Sequence, residues 1–118
     1  MQREQRLRKR KDFAAAYRKG RIHGNRLLVI RTRPNGGDVT RWGFVVGKAV
    51  GNAVTRNRVK RRLREAARRL PAAAGYDVVV GVRAHAAEAP FADLQRSLET
   101  LVERAGLLQP TAAAKETP

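Results

Sequence analysis

The densest chemistry in this 118-residue chain lies between Asn52 and Leu70, where seven arginines and one lysine accompany a single acid, Glu65. Arg56-Asn57-Arg58 opens the run, and Lys60, Arg61, Arg64 and Arg68 continue it. Arginine offers a planar fork of N–H donors that grips phosphate in pairs and stacks on bases, whereas lysine offers a point charge. So many like charges on one helix repel one another. A phosphate backbone reverses the sign of that effect, and counterion release adds to the affinity. An ordinary solvated helix interleaves both signs, which this one does not. The chemistry implied is polyanion binding.

Three further sets of residues are candidates. Gly47-Lys48-Ala49-Val50-Gly51-Asn52 is a glycine-containing loop running into a helix N-terminus. Free amides and the helix dipole at Gly51 and Asn52 can hold a phosphate or a metal-bound water there, and a simple turn is the alternative. It is not a P-loop, because the glycine spacing and the Lys-Ser/Thr pair are missing. Phe13 and Tyr17, four residues apart, share one helical face amid Lys9, Arg10, Lys11, Arg18 and Lys19. They either pack into the core or stack on unpaired bases, and spacing alone leaves both open. Last, His23 stands alone in a basic segment, and no Ser/His/Asp set or metal-ligand spacing accompanies it. No catalytic residue and no metal ligand is assigned to the protein.

The elements that must position these residues follow from periodicity and punctuation. Asp12 suits the cap of a short helix over 12–19, with Gly20 as its stop. Residues 26–33, RLLVIRTR, form a strand, and Gly24-Asn25 before it splits off a short extra one. Pro34-Asn35-Gly36-Gly37-Asp38 is a turn, and RWGFVVG is the next strand, so the pair is expected as an antiparallel hairpin. Asn52 caps a helix over 53–70 that Pro71 ends, with Val59, Leu63, Ala66 and Leu70 as its apolar stripe. Tyr76–Arg83, YDVVVGVR, is a strand buried on both faces. Phe91, Leu94, Leu98 and Leu101 are the core face of a last helix, 91–105, closed by Gly106. The fold class expected is α+β: one small sheet packed with helices, in the order α-β-β-(β)-α-β-α. Residues 1–10 are expected to form a mobile basic arm, 11–106 a single RNA-binding domain, and 107–118 a disordered tail.

Composition bounds the partners. With 26 basic and 10 acidic residues the formal charge is +16. It is concentrated: residues 1–70 hold 22 basic and 4 acidic residues, and residues 71–118 hold 4 and 6. Such asymmetry marks a binding face more than general solubility. The absence of cysteine excludes disulfides and thiolate metal sites. No apolar run approaches the ~20 residues of a membrane span. No helix pairs its basic face with a large aromatic or leucine face, which argues against a membrane surface. A cytoplasmic protein is expected, with nucleic acid as its partner and no small-molecule substrate. A DNA-reading helix is disfavoured, since Asn57 is the lone base-reading type on the exposed face.

The run GKAVGNAVTRNRVKRRLREAAR, residues 47–68, closely resembles the signature of the bacterial ribonuclease P protein subunit, whose hallmark is Arg-Asn-Arg. KDFAAAYRKG, Asn25-Arg26 and YDVVVGVR agree with the family's landmarks in order and spacing, so the similarity covers roughly residues 6–105. The resemblance implies a subunit that binds a large catalytic RNA. That RNA, with Mg²⁺, removes the 5′ leader of precursor tRNA by hydrolysis. It places Phe13, Tyr17, Arg31 and Lys48 in a cleft for the single-stranded leader. It places Arg56, Asn57, Arg58, Lys60, Arg61 and Arg64 on a helix that contacts the catalytic RNA and borders that cleft. It also implies a left-handed crossover between central parallel strands, against the usual rule. The chain departs from the family at Gly47 and Ala49, where Ser-Lys-Lys or a close relative is usual, so a hydroxyl and a cation are missing. Arg31 stands where many members carry an aromatic, which implies cationic contact there in place of stacking. A ribosomal or other structural RNA-binding protein would share the composition but not these motifs.

Overall fold

The computed structural model describes residues 2–109, so most of the expected tail, residues 110–118, lies outside the described residues. Helix α1 spans Arg10–Lys19, β1 Arg21–Gly24, β2 Leu28–Pro34, β3 Arg41–Val45, α2 Ala53–Arg68, β4 Tyr76–Val82 and α3 Phe91–Arg104. α1 starts two residues before the expected cap, from Lys9, which makes no capping bond. Asp12 therefore sits in the first turn, where its charge suits the helix dipole.

The sheet runs β1-β2-β4-β3. β1 is the short extra strand, antiparallel to β2. At the turn between them, the Asn25 side-chain oxygen accepts bonds from the Leu27 and Leu28 amides at 3.1 and 3.0 Å and from the Ser97 hydroxyl at 2.8 Å. The expected hairpin of β2 with β3 is not formed. β4 lies between them, antiparallel to β2 and parallel to β3. The reason lies in β4 itself. Asp77, Val78, Val79 and Val80 are all buried, and a strand with both faces apolar needs a strand on each side and cover above and below. The parallel β3–α2–β4 unit implied by the resemblance is present.

Alternation along the strands assigns the two faces. Leu28, Ile30, Val78 and Val80 face α2 and α3, where Val59, Leu63, Ala66, Leu94, Leu98 and Leu101 close the main core. Each of these ten side chains is fully buried. Leu70, expected with them, is half-buried at the end of the stripe, and Ala67 joins the core instead. The other face carries Val79, on which Leu7, Ala16 and half-buried Phe13 pack.

Two expected boundaries move. The segment expected as a mobile arm runs beside β3: Arg6 bridges to Trp42, and the Leu7 amide donates to the Trp42 carbonyl at 2.8 Å. Leu7, the apolar residue in that basic run, is buried and anchors it. At the other end Leu107 is buried in the main core, and the Ala73 amide donates to its carbonyl at 2.6 Å, so the domain extends past 106.

The face under α1 also holds a charged link. The Arg41 guanidinium donates through Nε and Nη2 to the two oxygens of Asp77, each at 2.8 Å, and through Nη1 to Asp12 at 3.4 Å. Asp77 is 1% exposed and also accepts from the Asn35 amide group at 3.0 Å. The hydrogen bond to Asp77 raises the Arg41 pKa above its ordinary value. The fork thus joins β4, β3 and the first turn of α1, one residue from Phe13. Arg41→Ala leaves a buried carboxylate without its cation, and we expect a loss on the order of 3 kcal/mol in urea denaturation. A loss below about 1 kcal/mol would mean that water reaches Asp77 and that the link is an ordinary surface pair.

Candidate nucleic-acid interface

α2 begins where two residues require it to. The Asn52 side-chain oxygen accepts from the Thr55 amide at 3.0 Å, the usual way an N-cap satisfies a free donor. Gly51 has φ 153°, and a Cβ there would stand 2.9 Å from the Thr55 side chain, so glycine is needed on both counts. Gly51 and Asn52 therefore build the helix start, and Asn52's oxygen is occupied. Lys48 is exposed in the short 3-10 turn Lys48–Val50 just before it.

At about 100° per residue, the cations of α2 separate into sectors around the buried stripe. Arg56, Lys60, Arg64 and the exposed Asn57 lie on one side. Arg58, Arg62, Glu65 and Arg69 lie on the other, with Arg61 and Arg68 outermost. The first side borders β3: Lys60 and Arg64 line a groove of about 310 Å³ with Arg6, Arg8, Phe13 and Gly43. The second borders α3, and Arg62 and Arg69 flank Phe91.

The two sides differ in how their charge is satisfied. Arg62 donates to the Ala89 carbonyl at 3.5 Å, and the Arg69 guanidinium lies 5.0 Å from the centre of the Phe91 ring. Glu65 accepts from Arg68 Nε at 3.0 Å and from Arg69 Nε at 3.1 Å. The Arg68 bond first, and the Arg69 bond second, pull the Glu65 carboxyl from 4.5 down to about 2. The pairing is therefore complete above the ordinary value and is lost only as pH falls through about 2. Among the described residues, Arg56, Lys60, Arg61 and Arg64 have no carboxylate partner. The Nε atoms of Arg31, Arg56 and Arg58 are buried with no hydrogen-bond partner. A buried donor left unpaired is costly.

α1 crosses the same sheet face from β3 to β2. At one end the Phe13 ring sits over Gly43, where a Cβ would come within 2.6 Å of two ring carbons. At the other, Tyr17 is 44% exposed, and the Arg31 guanidinium lies 4.2 Å above its ring centre. The two readings of this aromatic pair thus divide between its members. Phe13 is half core and half groove wall, and Tyr17 is an open ring face with a cation on it. Beyond α1, Val29, Gly81 and Val45 continue that face of the sheet, and Val45 is exposed.

Phe13, Lys60 and Arg64 are thus brought to one groove, and Tyr17 meets Arg31. Arg56, Asn57, Arg58 and Arg61 stand on α2 close by, whereas Arg68 is turned outward and paired. Sequence reasoning had Arg6 and Arg8 only within a mobile basic arm that orders on RNA, not fixed beside β3, and it missed Gly43. The signal for the first two was Leu7 between them, a buried anchor that fixes its neighbours. For Gly43 it was a glycine inside an apolar strand, which marks close approach of another group. The arrangement supplies cations and ring faces, the set required to hold a single strand of nucleic acid.

Comparison with known proteins gives the family and the fold. The ribonuclease P family profile matches residues 1–106. The chain is 45% identical to the ribonuclease P protein component of Symbiobacterium thermophilum over 112 residues, covering 92% of this chain and 97% of the relative. It is 46% identical to that of Streptomyces bikiniensis, covering 86% and 91%. Among solved structures, the Staphylococcus aureus RNase P protein superposes with a TM-score of 0.81 at 33% identity, covering 89% of this chain and 98% of that one. The Thermotoga maritima RNase P protein gives 0.78 at 34% identity, covering 84% and 96%. The family of the chain is therefore established, and it belongs to the ribonuclease P protein components.

Proposed function

We propose that this chain binds the catalytic RNA of ribonuclease P together with the single-stranded 5′ leader of precursor tRNA, and so assists Mg²⁺-dependent hydrolysis that removes the leader. The observation that carries this reading is the groove where Phe13 meets the unpaired Lys60 and Arg64. Phosphates running past Arg56, Lys60 and Arg64 release counterions, and Tyr17 with Arg31 offers a ring face to an unstacked base. Lys48 and Asn57 are exposed at the start of α2 and extend the same binding surface. Arg58 and Arg61 are left to the catalytic RNA.

The protein's part is to position the substrate. Among the described residues, no group of three or more His, Cys, Asp or Glu side chains is placed to hold a metal ion. As the family resemblance implies, we assign Mg²⁺ and the bond-breaking step to the RNA. Holding the leader turns a diffusive encounter into a fixed alignment of the scissile phosphodiester, which is a rate effect even without a catalytic side chain.

The protein added to a bacterial ribonuclease P RNA at low Mg²⁺ should stimulate cleavage of precursor tRNA. No stimulation alongside intact binding to ribosomal RNA would point instead to a structural RNA-binding role. Tyr17→Ala should weaken leader-bearing precursor by ~1–3 kcal/mol and leave mature tRNA almost unaffected, as read by filter binding. Phe13→Ala should do the same while also lowering the denaturation midpoint, because its ring covers Gly43. Equal losses for precursor and mature tRNA would assign both rings to packing alone.

A further inference from the structure

Glu65 stands out on α2. It is the sole acid among the eight cations between Asn52 and Leu70, and it accepts hydrogen bonds from both Arg68 and Arg69. Glu65 lies three residues from the one and four from the other, the two spacings at which helical side chains meet. Arg69 has a second tie, to the Phe91 ring at 5.0 Å, and its neighbour Arg62 reaches the Ala89 carbonyl. Towards the C-terminal end of α2 the arginines of this flank are thus tied to the protein, whereas Arg58 near its start has no ion pair among the described residues. The opposite flank, Arg56, Lys60 and Arg64, has no such internal anion.

We propose that Glu65 is a specificity-determining residue: an internal phosphate mimic that withholds Arg68 and Arg69 from RNA and so ends the binding face of α2 before its C-terminal turn. The proposal rests on the RNA-binding reading above. Its physics is competition. A strand laid along the outer end of α2 would have to displace a carboxylate that already fills the Arg68 fork and accepts from Arg69 Nε. It would then lie beside that carboxylate's negative charge. A surface pair of this kind is worth little to folding. Its influence on a polyanion is larger in kind, since it removes one net positive charge from the local field and therefore one released counterion. Non-specific RNA depends on charge number alone, so it loses most. A leader seated between Phe13 and Lys60 loses little. Glu65 therefore widens the gap between the two.

The test compares the full-length protein with Glu65→Gln, which keeps the side-chain volume and removes the charge. The probes are an oligouridylate, as a featureless single strand, and precursor and mature tRNA. For Glu65→Gln the oligouridylate should bind several-fold more tightly near 0.1 M salt. Its log-log salt slope should steepen by roughly 0.7, the value for one further phosphate contact on a single strand. The preference for leader-bearing precursor over mature tRNA should shrink. Adding Arg68→Gln and Arg69→Gln to Glu65→Gln should abolish the gain. Unchanged affinity and slope in Glu65→Gln would overturn the proposal, and so would a gain that survives loss of both arginines. Thermal melts of each variant show that the fold is retained. Failure of the RNA-binding reading itself would appear separately, as absence of cleavage stimulation by the unmodified protein.

Discussion

The structure depends on covering β4 from both sides. Val78 and Val80 point to one face, Asp77 and Val79 to the other, and all four are buried. Burying a valine side chain stabilises by roughly 1.5–3 kcal/mol, so neither face can be left to water. One face recruits α2 and α3 into the main core. The other recruits α1 and the N-terminal segment through Ala16 and Leu7. A strand with these demands goes to the middle of the sheet, and β3 is thereby pushed to its edge. That position lets the edge of β3 face Phe13 on one side and Lys60 and Arg64 of α2 on the other. The groove is a consequence of where β4 had to go.

Asp77 is the exception within that strand, a carboxylate among valines. A buried charge is tolerated when it is paired and fully hydrogen-bonded, and the Arg41 fork with the Asn35 amide group does both. The same guanidinium reaches Asp12, so the charge that β4 must neutralise also fixes the start of α1. Replacement of such a pair by apolar residues is often neutral for stability. What the pair adds is direction: α1 is held by its first turn at one defined place, with Phe13 next along the chain.

The fold was legible in its elements and illegible in its pairing. The stripe of Val59, Leu63 and Ala66 and the doubly apolar β4 are local patterns, and both appear where their periodicity puts them. The failed β2–β3 hairpin shows the limit. Turn residues between two strands say that the chain reverses, and nothing in residues 34–40 says that a third strand will come between them. The demand came from β4, more than thirty residues downstream. Leu7 and Leu107 were missed for a related reason. A single apolar residue in a polar segment has no periodicity, so its burial is decided by whatever surface lies nearby. At the site, the Arg56–Arg64 run was plain from composition. Which arginines are free was not, since that depends on Glu65, Phe91 and the Ala89 carbonyl, contacts within and beyond α2.

Arg31 shows how the two levels meet. Its position in β2 puts it on the face under α1, and Tyr17 offers its ring at 4.2 Å. The contact fixes the guanidinium plane against the ring, and such a contact contributes about 0.5–1 kcal/mol at an exposed site. Its Nε is buried without an acceptor, so the stacking does not use up the group's hydrogen-bonding capacity. A ring on α1 backed by a cation from β2 differs from two rings in one respect that matters for a nucleic-acid partner. Aromatic pairs contribute stacking alone, whereas this pair sets a positive charge against the ring. Arg31 on the strand thus takes its ring partner from the neighbouring helix.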